Sequence, residues 1–291
     1  MHPKYEQTAA QVLDWARTEV SIQGVLVIGS QARCLPPSDA WSDLDLMVLA
    51  DDPLALVAAN GWVERFGRVV CSFEEIVPLH FTDWQWRVKR VLYADERDVD
   101  FSILPYHRLE EVLRVNQEIL ARGFQVLFER SPGALESQIG ALLKKQDAPA
   151  PHAPGAEEMR AVVSEILYHV IWALKKIRRG ELWVAVRCIN THMSGLLLRL
   201  IEAHNSATGQ PPDSLLYGGR FLEQRTDAAV LARLAGCFAR YDAADAQTCL
   251  QNQFDLTETL WKTICDRTGA PFEAAAFERI QAVFDRMKAA G

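Results

Sequence analysis

Val25-Leu26-Val27-Ile28-Gly29-Ser30, followed by Ser42-Asp43-Leu44-Asp45-Leu46-Met47-Val48-Leu49, is the stretch that decides the fold. An apolar strand runs into a Gly-Ser turn, and a second strand carries two carboxylates one residue apart. Because successive side chains of a strand point to opposite faces, Asp43 and Asp45 project the same way. Two neighbouring carboxylates repel each other unless a cation lies between them. The pattern therefore predicts a divalent metal, Mg²⁺, which carboxylates and substrate phosphates commonly bind together, and an enzyme that handles a nucleoside triphosphate.

A third carboxylate comes from a later strand. Residues 86–93 and 99–105 alternate polar and apolar side chains on either side of a turn-like segment, which predicts a hairpin. In the second strand Asp100 points away from the apolar face. We expect Asp43, Asp45 and Asp100 to surround one or two Mg²⁺ ions that bridge the phosphates of a nucleotide and stabilise an in-line displacement.

The turn after the first strand supplies the remaining phosphate contacts. Gly29 lets a backbone approach closely, and the exposed amides with the Ser30 hydroxyl can hold terminal phosphates. Arg33, in the following loop, can add a charge-assisted hydrogen bond. Each of these features is common alone. The prediction rests on the order in which the Gly29-Ser30 turn, the Asp43-Leu44-Asp45 pair and Asp100 follow one another along the chain. The chain has neither a Gly-x-x-x-x-Gly-Lys-Ser/Thr loop nor a Gly-x-Gly-x-x-Gly turn after a strand.

The pattern along the chain predicts an α/β (α+β) N-terminal domain with a mixed sheet flanked by helices, followed by an all-α helical bundle. A Pro-rich segment over 147–155 is the predicted linker between domains of residues 1–146 and 156–291. In the first domain helices are expected at 5–20, 108–122 and 133–145 and the leading strands at 24–29 and 43–50. In the second domain helices are expected at 156–178, 181–204, 219–224, 227–240, 243–267 and 273–289.

Composition places the chain among ordinary globular proteins. It has 291 residues, of which 49% are hydrophobic and 24% charged, and no apolar run long enough to span a membrane. Its N-terminus lacks the layout of a secretory signal, so export is not expected. Six scattered cysteines without a Cys-x-x-Cys pair argue against a zinc site and against a disulfide framework, and favour a cytoplasmic location.

The charge distribution bears on the partners. The net charge is −7, and most of the excess acidity lies in residues 1–146. An acidic catalytic half is a poor surface for nucleic acid, and it suits a small cationic substrate. Solubility alone explains the acidity equally well. We expect no nucleic acid and no membrane as partners, and a monomer or weak dimer.

These motifs resemble the aminoglycoside 6-adenylyltransferases (streptomycin adenylyltransferases), within the DNA polymerase beta-like nucleotidyltransferase superfamily. The likeness covers most of the chain, although several matching stretches are short. It is carried by Gly29-Ser30-Gln31-Ala32-Arg33, Asp39-Ala40-Trp41-Ser42-Asp43-Leu44-Asp45, Trp62 with Phe66-Gly67, Val99-Asp100-Phe101-Ser102-Ile103-Leu104-Pro105, Glu118-Ile119-Leu120, Leu127-Phe128-Glu129, Glu165, Lys175-Lys176, Arg179-Gly180-Glu181-Leu182 and Tyr241-Asp242-Ala243-Ala244-Asp245. One departure is Gln31, which stands where the family more often has arginine.

The resemblance implies transfer of AMP from ATP to a hydroxyl of an aminoglycoside such as streptomycin, with release of pyrophosphate and resistance to the antibiotic. It implies Mg²⁺ bound by the three aspartates, with Asp100 also a catalytic residue. It also implies Glu165 as the base that takes the hydroxyl proton. The family register favours Lys175 as a phosphate contact, whereas helical periodicity groups Lys176 with Glu165, His169 and Trp172 on one face. Both lysines stay candidates, and an ordinary solvated helix face is an equal alternative for this stripe.

Two other functions remain open at this point. The same mechanism can serve another small-molecule hydroxyl, or the chain can be an inactive nucleotide-binding relative. The presence of Asp43, Asp45 and Asp100 together disfavours the second.

Overall fold

The computed structural model describes residues 1–33, 38–59, 61–79, 82, 84–144, 155–210 and 218–289. The chain divides into two compact units, Met1–Ala148 and Pro149–Gly291. The predicted linker 147–155, apart from Gly155, lies outside the described residues, and the domain boundaries stay a prediction. No helix among the described residues is long and apolar enough to cross a membrane.

Unit 1 is built on a six-stranded mixed sheet with the strand order β3-β4-β5-β2-β1-β6. Its strands are β1 (Ile22–Ile28), β2 (Leu44–Ala50), β3 (Val69–Val77), β4 (Trp86–Tyr93), β5 (Asp98–Pro105) and β6 (Gln125–Glu129). The β2–β5 pair is parallel and the other neighbours are antiparallel. The two strands that carry aspartates are therefore adjacent and run in the same direction.

Helices cover both faces of this sheet. They are α1 (Pro3–Thr18), α2 (Pro53–Ala58), α3 (Leu109–Val115), α4 (Gln117–Ala121) and α5 (Ala134–Lys144). Alternate residues of β2 enter different cores: Leu44, Leu46 and Val48 pack with α1, whereas Met47 and Leu49 pack with α3 and α5. The first of these cores contains a stacked Trp15–Trp62 pair, with ring centroids 5.0 Å apart. Burial on both faces fixes the strand register, because a slip of one residue would exchange the faces.

The mixed sheet flanked by helices is confirmed, with differences in detail. The strand predicted over 43–50 begins at Leu44, which leaves Asp43 just before it. The helix predicted over 108–122 is broken at Asn116, whose side-chain amide donates to the carbonyl of Val112 at 2.9 Å. Such side-chain bonds to the backbone compete with helix continuation.

Among the helices and strands of the described residues in unit 1, some were not predicted from the sequence. They are α2 and the two edge strands β3 and β6. β3 is mostly solvent-exposed on both faces, including Phe73, so its sequence lacks the alternation of a half-buried strand. Paired edge strands of this kind are set by tertiary contacts rather than by local pattern.

Unit 2 is helical in its described residues, as predicted. It contains α6 (Ala156–Arg178), α7 (Leu182–Arg187), α8 (Ser194–Ala207), α9 (Leu222–Arg225), α10 (Ala228–Leu234), α11 (Ala243–Thr268) and α12 (Ala274–Ala289). The long α6 and α11 share one apolar core, which includes the fully buried Trp261. The helix predicted over 181–204 is instead α7 and α8 joined by a π-helical segment, Cys188–Met193.

Candidate active site

In the turn after β1, the backbone of Gly29 lies against the carboxylate of Asp45. Gly29 has φ +67°, and a Cβ placed on it would lie 2.1 Å from Oδ2 of Asp45. Gly29–Gln31 forms one 3₁₀ turn immediately after the strand. Both the left-handed backbone and the close approach of Asp45 require glycine at this position.

Ser30 and Gln31 hold Asp43 in place. The Ser30 hydroxyl lies 3.3 Å from both the carbonyl oxygen and Oδ1 of Asp43, and the Gln31 side-chain amide donates to the same carbonyl at 3.0 Å. The Gln31 side-chain oxygen in turn accepts from the backbone amide of His2 at 2.8 Å. Gln31, the departure from the family pattern, therefore has a positioning contact of its own beside the carboxylates.

The three predicted metal ligands come together at one end of β2 and β5. Asp45 is directly opposite Asp100 in the parallel register, and Asp43 joins them from the residue before β2. One carboxylate oxygen from each lies within 4.8 Å of the other two. Three carboxylates form an all-oxygen donor set, which is the type that Mg²⁺ prefers, so the residues present fit that ion.

The environment of Asp100 shows the electrostatic cost of this arrangement. Burial raises the pKa of Asp100 to about 6, and the nearby Asp98 and Asp43 add to the rise. Arg90 on β4 contacts Asp100 and opposes the rise, and its Nε also donates to Glu75 at 2.8 Å. A dication bound by the three aspartates would likewise relieve the repulsion between their carboxylates. Arg90 was not among the predicted site residues, although its position opposite Asp100 follows from the hairpin register.

Arg33 fits an anionic ligand. Its side chain is partly buried, and among the described residues no acceptor lies within hydrogen-bonding distance of the buried Nε. A buried donor without a partner costs free energy that a bound phosphate oxygen would recover. Residues 34–37 of the same loop lie outside the described residues.

In unit 2, Glu165 belongs to a second polar cluster. Its Oε1 lies 3.1 Å from Nε2 of His192, and its backbone carbonyl lies 2.8 Å from Nδ1 of His169. The two imidazole ring centroids are 4.4 Å apart, and His169 lies edge-on to Trp172 at 6.0 Å. The predicted stripe on α6 therefore exists as a set of contacts. His192 was missed because it comes from the π-helical segment, which no helical periodicity indicates.

The two predicted lysines have different surroundings. Lys176 bonds Glu181 at 2.7 Å and lies over the ring of Trp172, 5.2 Å from its centroid. Lys175 is solvent-exposed. An ammonium that is already paired is less available to another anion, and the choice between the two lysines as the phosphate contact stays a prediction.

Comparison with known proteins finds a family whose model matches almost the whole chain. Residues 3–287 match the family model described as streptomycin adenylyltransferase. No curated protein sequence gives a significant match. Among solved structures, an aminoglycoside 6-adenyltransferase from Bacillus subtilis is similar, with 14% identity, a TM-score of 0.46, and 99% of each chain covered.

Proposed function

We propose, from the premise that this chain belongs to the streptomycin adenylyltransferase family, that it transfers AMP from ATP to a hydroxyl of a streptomycin-like aminoglycoside and so confers resistance. Family membership makes the chain a nucleotidyltransferase. The observation that carries the proposal is the meeting of Asp43, Asp45 and Asp100 within 4.8 Å, beside the Gly29 turn. The cytoplasmic location and the monomeric or weakly dimeric state stay predictions.

Asp43, Asp45 and Asp100 would hold Mg²⁺, which neutralises phosphate charge when it is bound. The Gly29–Gln31 turn offers backbone amides to the triphosphate, and Arg33 offers an unpaired guanidinium N–H. These contacts orient the α-phosphorus for in-line attack.

The reaction then needs a deprotonated acceptor. The hydroxyl oxygen bonds to the α-phosphorus, the bond from phosphorus to the bridging oxygen breaks, and pyrophosphate leaves with the electron pair. Glu165 would accept the hydroxyl proton, and its half-exposed carboxylate, 44% accessible, is open to a ligand. One of the two candidate lysines, Lys175 or Lys176, would assist by contacting a phosphate oxygen.

The proposed acceptor site is a cavity whose lining includes His169 and His192, the two histidines that contact Glu165. It measures about 370 Å³ and is lined by His169, Trp172, Trp183, Val184, Arg187, Cys188, Thr191 and His192. Small-molecule sites have volumes from roughly 300 Å³ upward, with apolar walls and a few convergent polar groups. Trp172 and Trp183 provide flat apolar surfaces against which a sugar or cyclitol ring can pack.

Pyrophosphate release tests this function directly. The protein is incubated with ATP, Mg²⁺ and each of a panel of aminoglycosides, and release above the rate without acceptor is expected with streptomycin. Release with another member of the panel would reassign the acceptor. The absence of release with every member, from a protein that binds ATP, would overturn the aminoglycoside proposal and favour another hydroxyl acceptor.

Replacing Glu165 by Gln should lower kcat by about 10²- to 10⁴-fold, the usual contribution of a general base. The amide keeps the size of the side chain but cannot accept a proton.

Glu158→Gln is the matched control for Glu165→Gln, because Glu158 lies on the same helix and bonds Arg199 at 2.8 Å on the surface. We expect the parent rate from it, since exposed ion pairs contribute little. A Glu165→Gln enzyme with the parent's rate and pH profile would assign the proton transfer to another group.

A further inference from the structure

The cluster of Glu165, His169 and His192 has the composition of a transition-metal site. One ligand atom from each residue lies within 4.8 Å of the other two. We propose that these three side chains bind a divalent transition-metal ion such as Zn²⁺, at a site distinct from the aspartate cluster of unit 1. The evidence is the donor set, the orientation of its histidines and the backbone that places them.

The hydrogen bond of His169 leaves its other nitrogen free for a metal. Nδ1 lies 2.8 Å from the backbone carbonyl of Glu165, and a carbonyl oxygen can only accept, so Nδ1 carries the proton. Nε2 then keeps its lone pair. Metal-binding histidines characteristically donate the second ring N–H to a carbonyl or carboxylate in this way, which fixes the tautomer and the ring orientation.

His192 is the third proposed ligand, and its backbone is π-helical. It lies in the π-helical segment Cys188–Met193, whose Ile189 and Met193 are fully buried while the His192 side chain is 44% accessible. π-helical turns inside α-helices occur frequently at functional sites. Here the segment carries Nε2 of His192 to 3.1 Å from Oε1 of Glu165, so that one cation can contact both atoms.

The donor types select the class of metal. Two imidazole nitrogens and one carboxylate oxygen suit Zn²⁺ and other first-row transition ions rather than Mg²⁺ or Ca²⁺. Three protein ligands leave a coordination position open, and the cavity of about 370 Å³ adjoins His169 and His192. The lack of Cys-x-x-Cys pairs argued against zinc, but this set needs no cysteine.

One consequence rests on the proposed function. If Glu165 is the base, an ion bound to its carboxylate would occupy the lone pairs that must accept the acceptor's proton. Transition-metal ions would then inhibit transfer, whereas Mg²⁺ at the aspartates would support it. Metal binding itself does not depend on that role.

The experiment is a calorimetric titration of Zn²⁺ into the untagged, reduced, full-length protein with Mg²⁺ in excess. A single Zn²⁺ is expected to bind at this site in the parent. His169→Gln and His192→Gln should each weaken it by about 100-fold or more, since loss of even a second-shell partner costs 10- to 100-fold. Melting curves verify that the variants are folded, and anomalous scattering at the zinc edge from soaked crystals should locate the ion between the two imidazoles.

His107→Gln, Cys188→Ser and Asp45→Asn are the controls, and all three should bind Zn²⁺ as the parent does. His107 lies in a short turn of unit 1, and the Cys188 thiol lines the same cavity as the proposed ligands. No Zn²⁺ binding in the presence of Mg²⁺, the parent's affinity in both His169→Gln and His192→Gln, or loss only in Cys188→Ser would overturn the site. Failure of the proposed function would instead appear as absent pyrophosphate release, whatever the zinc stoichiometry.

Discussion

Asp45→Asn is expected to lower the rate of pyrophosphate release by on the order of 10³-fold while leaving the fold intact, because a preorganised electrostatic contact at the reacting phosphate is lost. Asp45 lies directly opposite Asp100 on the neighbouring strand, and its carboxylate lies against the backbone of Gly29. Asparagine keeps the shape of the side chain and removes its charge. The binding of Mg²⁺ then loses one of its three anionic ligands.

A second measurement separates metal binding from chemistry. The carboxylates of Asp43, Asp45 and Asp100 lie within 4.8 Å of one another, and burial, with smaller contributions from Asp98 and Asp43, raises the pKa of Asp100 to about 6. A cation that binds only the folded protein raises its melting temperature by mass action. Mg²⁺ should therefore stabilise the parent against heat, and the stabilisation should be much smaller in Asp45→Asn.

The matched control for Asp45→Asn is Asp51→Asn at the other end of β2. Asp51 is exposed and accepts from the Gln23 side chain at 2.6 Å, away from the carboxylate cluster. We expect the parent's rate and the parent's response to Mg²⁺ from it. Parent-like turnover in Asp45→Asn would remove Asp45 from the metal site and with it the main support for the proposed mechanism.

The alternation within single strands was enough to predict which side chains of β2 and β5 enter the core of unit 1. Leu44, Leu46 and Val48 had to face one way and Asp45 the other, and Asp100 was separated from Phe101 by the same rule. The carboxylates meet because β2 and β5 are parallel neighbours. No single-strand pattern contains that pairing, which the structure shows.

The contacts that the sequence did not indicate all depend on distant residues. Arg90 reaches Asp100 across a strand pair, and Gln31 is fixed by the amide of His2. His192 reaches Glu165 only because a π-helical segment interrupts an otherwise regular helical pattern. Such contacts follow from packing over the whole unit, which local periodicity does not encode.

Gly29→Ala is expected to abolish most of the activity while the protein still folds, at the stability cost of an alanine in a left-handed conformation. Alanine at φ +67° costs about 1–2 kcal/mol of backbone strain. Its Cβ would also lie 2.1 Å from Oδ2 and 2.9 Å from Cγ of Asp45. The Asp45 side chain can rotate away from this overlap, so the clash costs little folding free energy but removes a carboxylate from the cluster. We expect turnover to fall by about 10²-fold or more.

Gly133→Ala separates the two effects of Gly29→Ala. Gly133 belongs to the same unit and has φ +79°, and a Cβ there would meet nothing within 4 Å. Both variants should therefore show a similar drop in melting temperature, whereas only Gly29→Ala should lose activity and the stabilisation by Mg²⁺. If the two variants were equally active, the close contact between Gly29 and Asp45 would have no part in catalysis. Their divergence would instead show that this glycine is required because the carboxylate lies where a side chain would be.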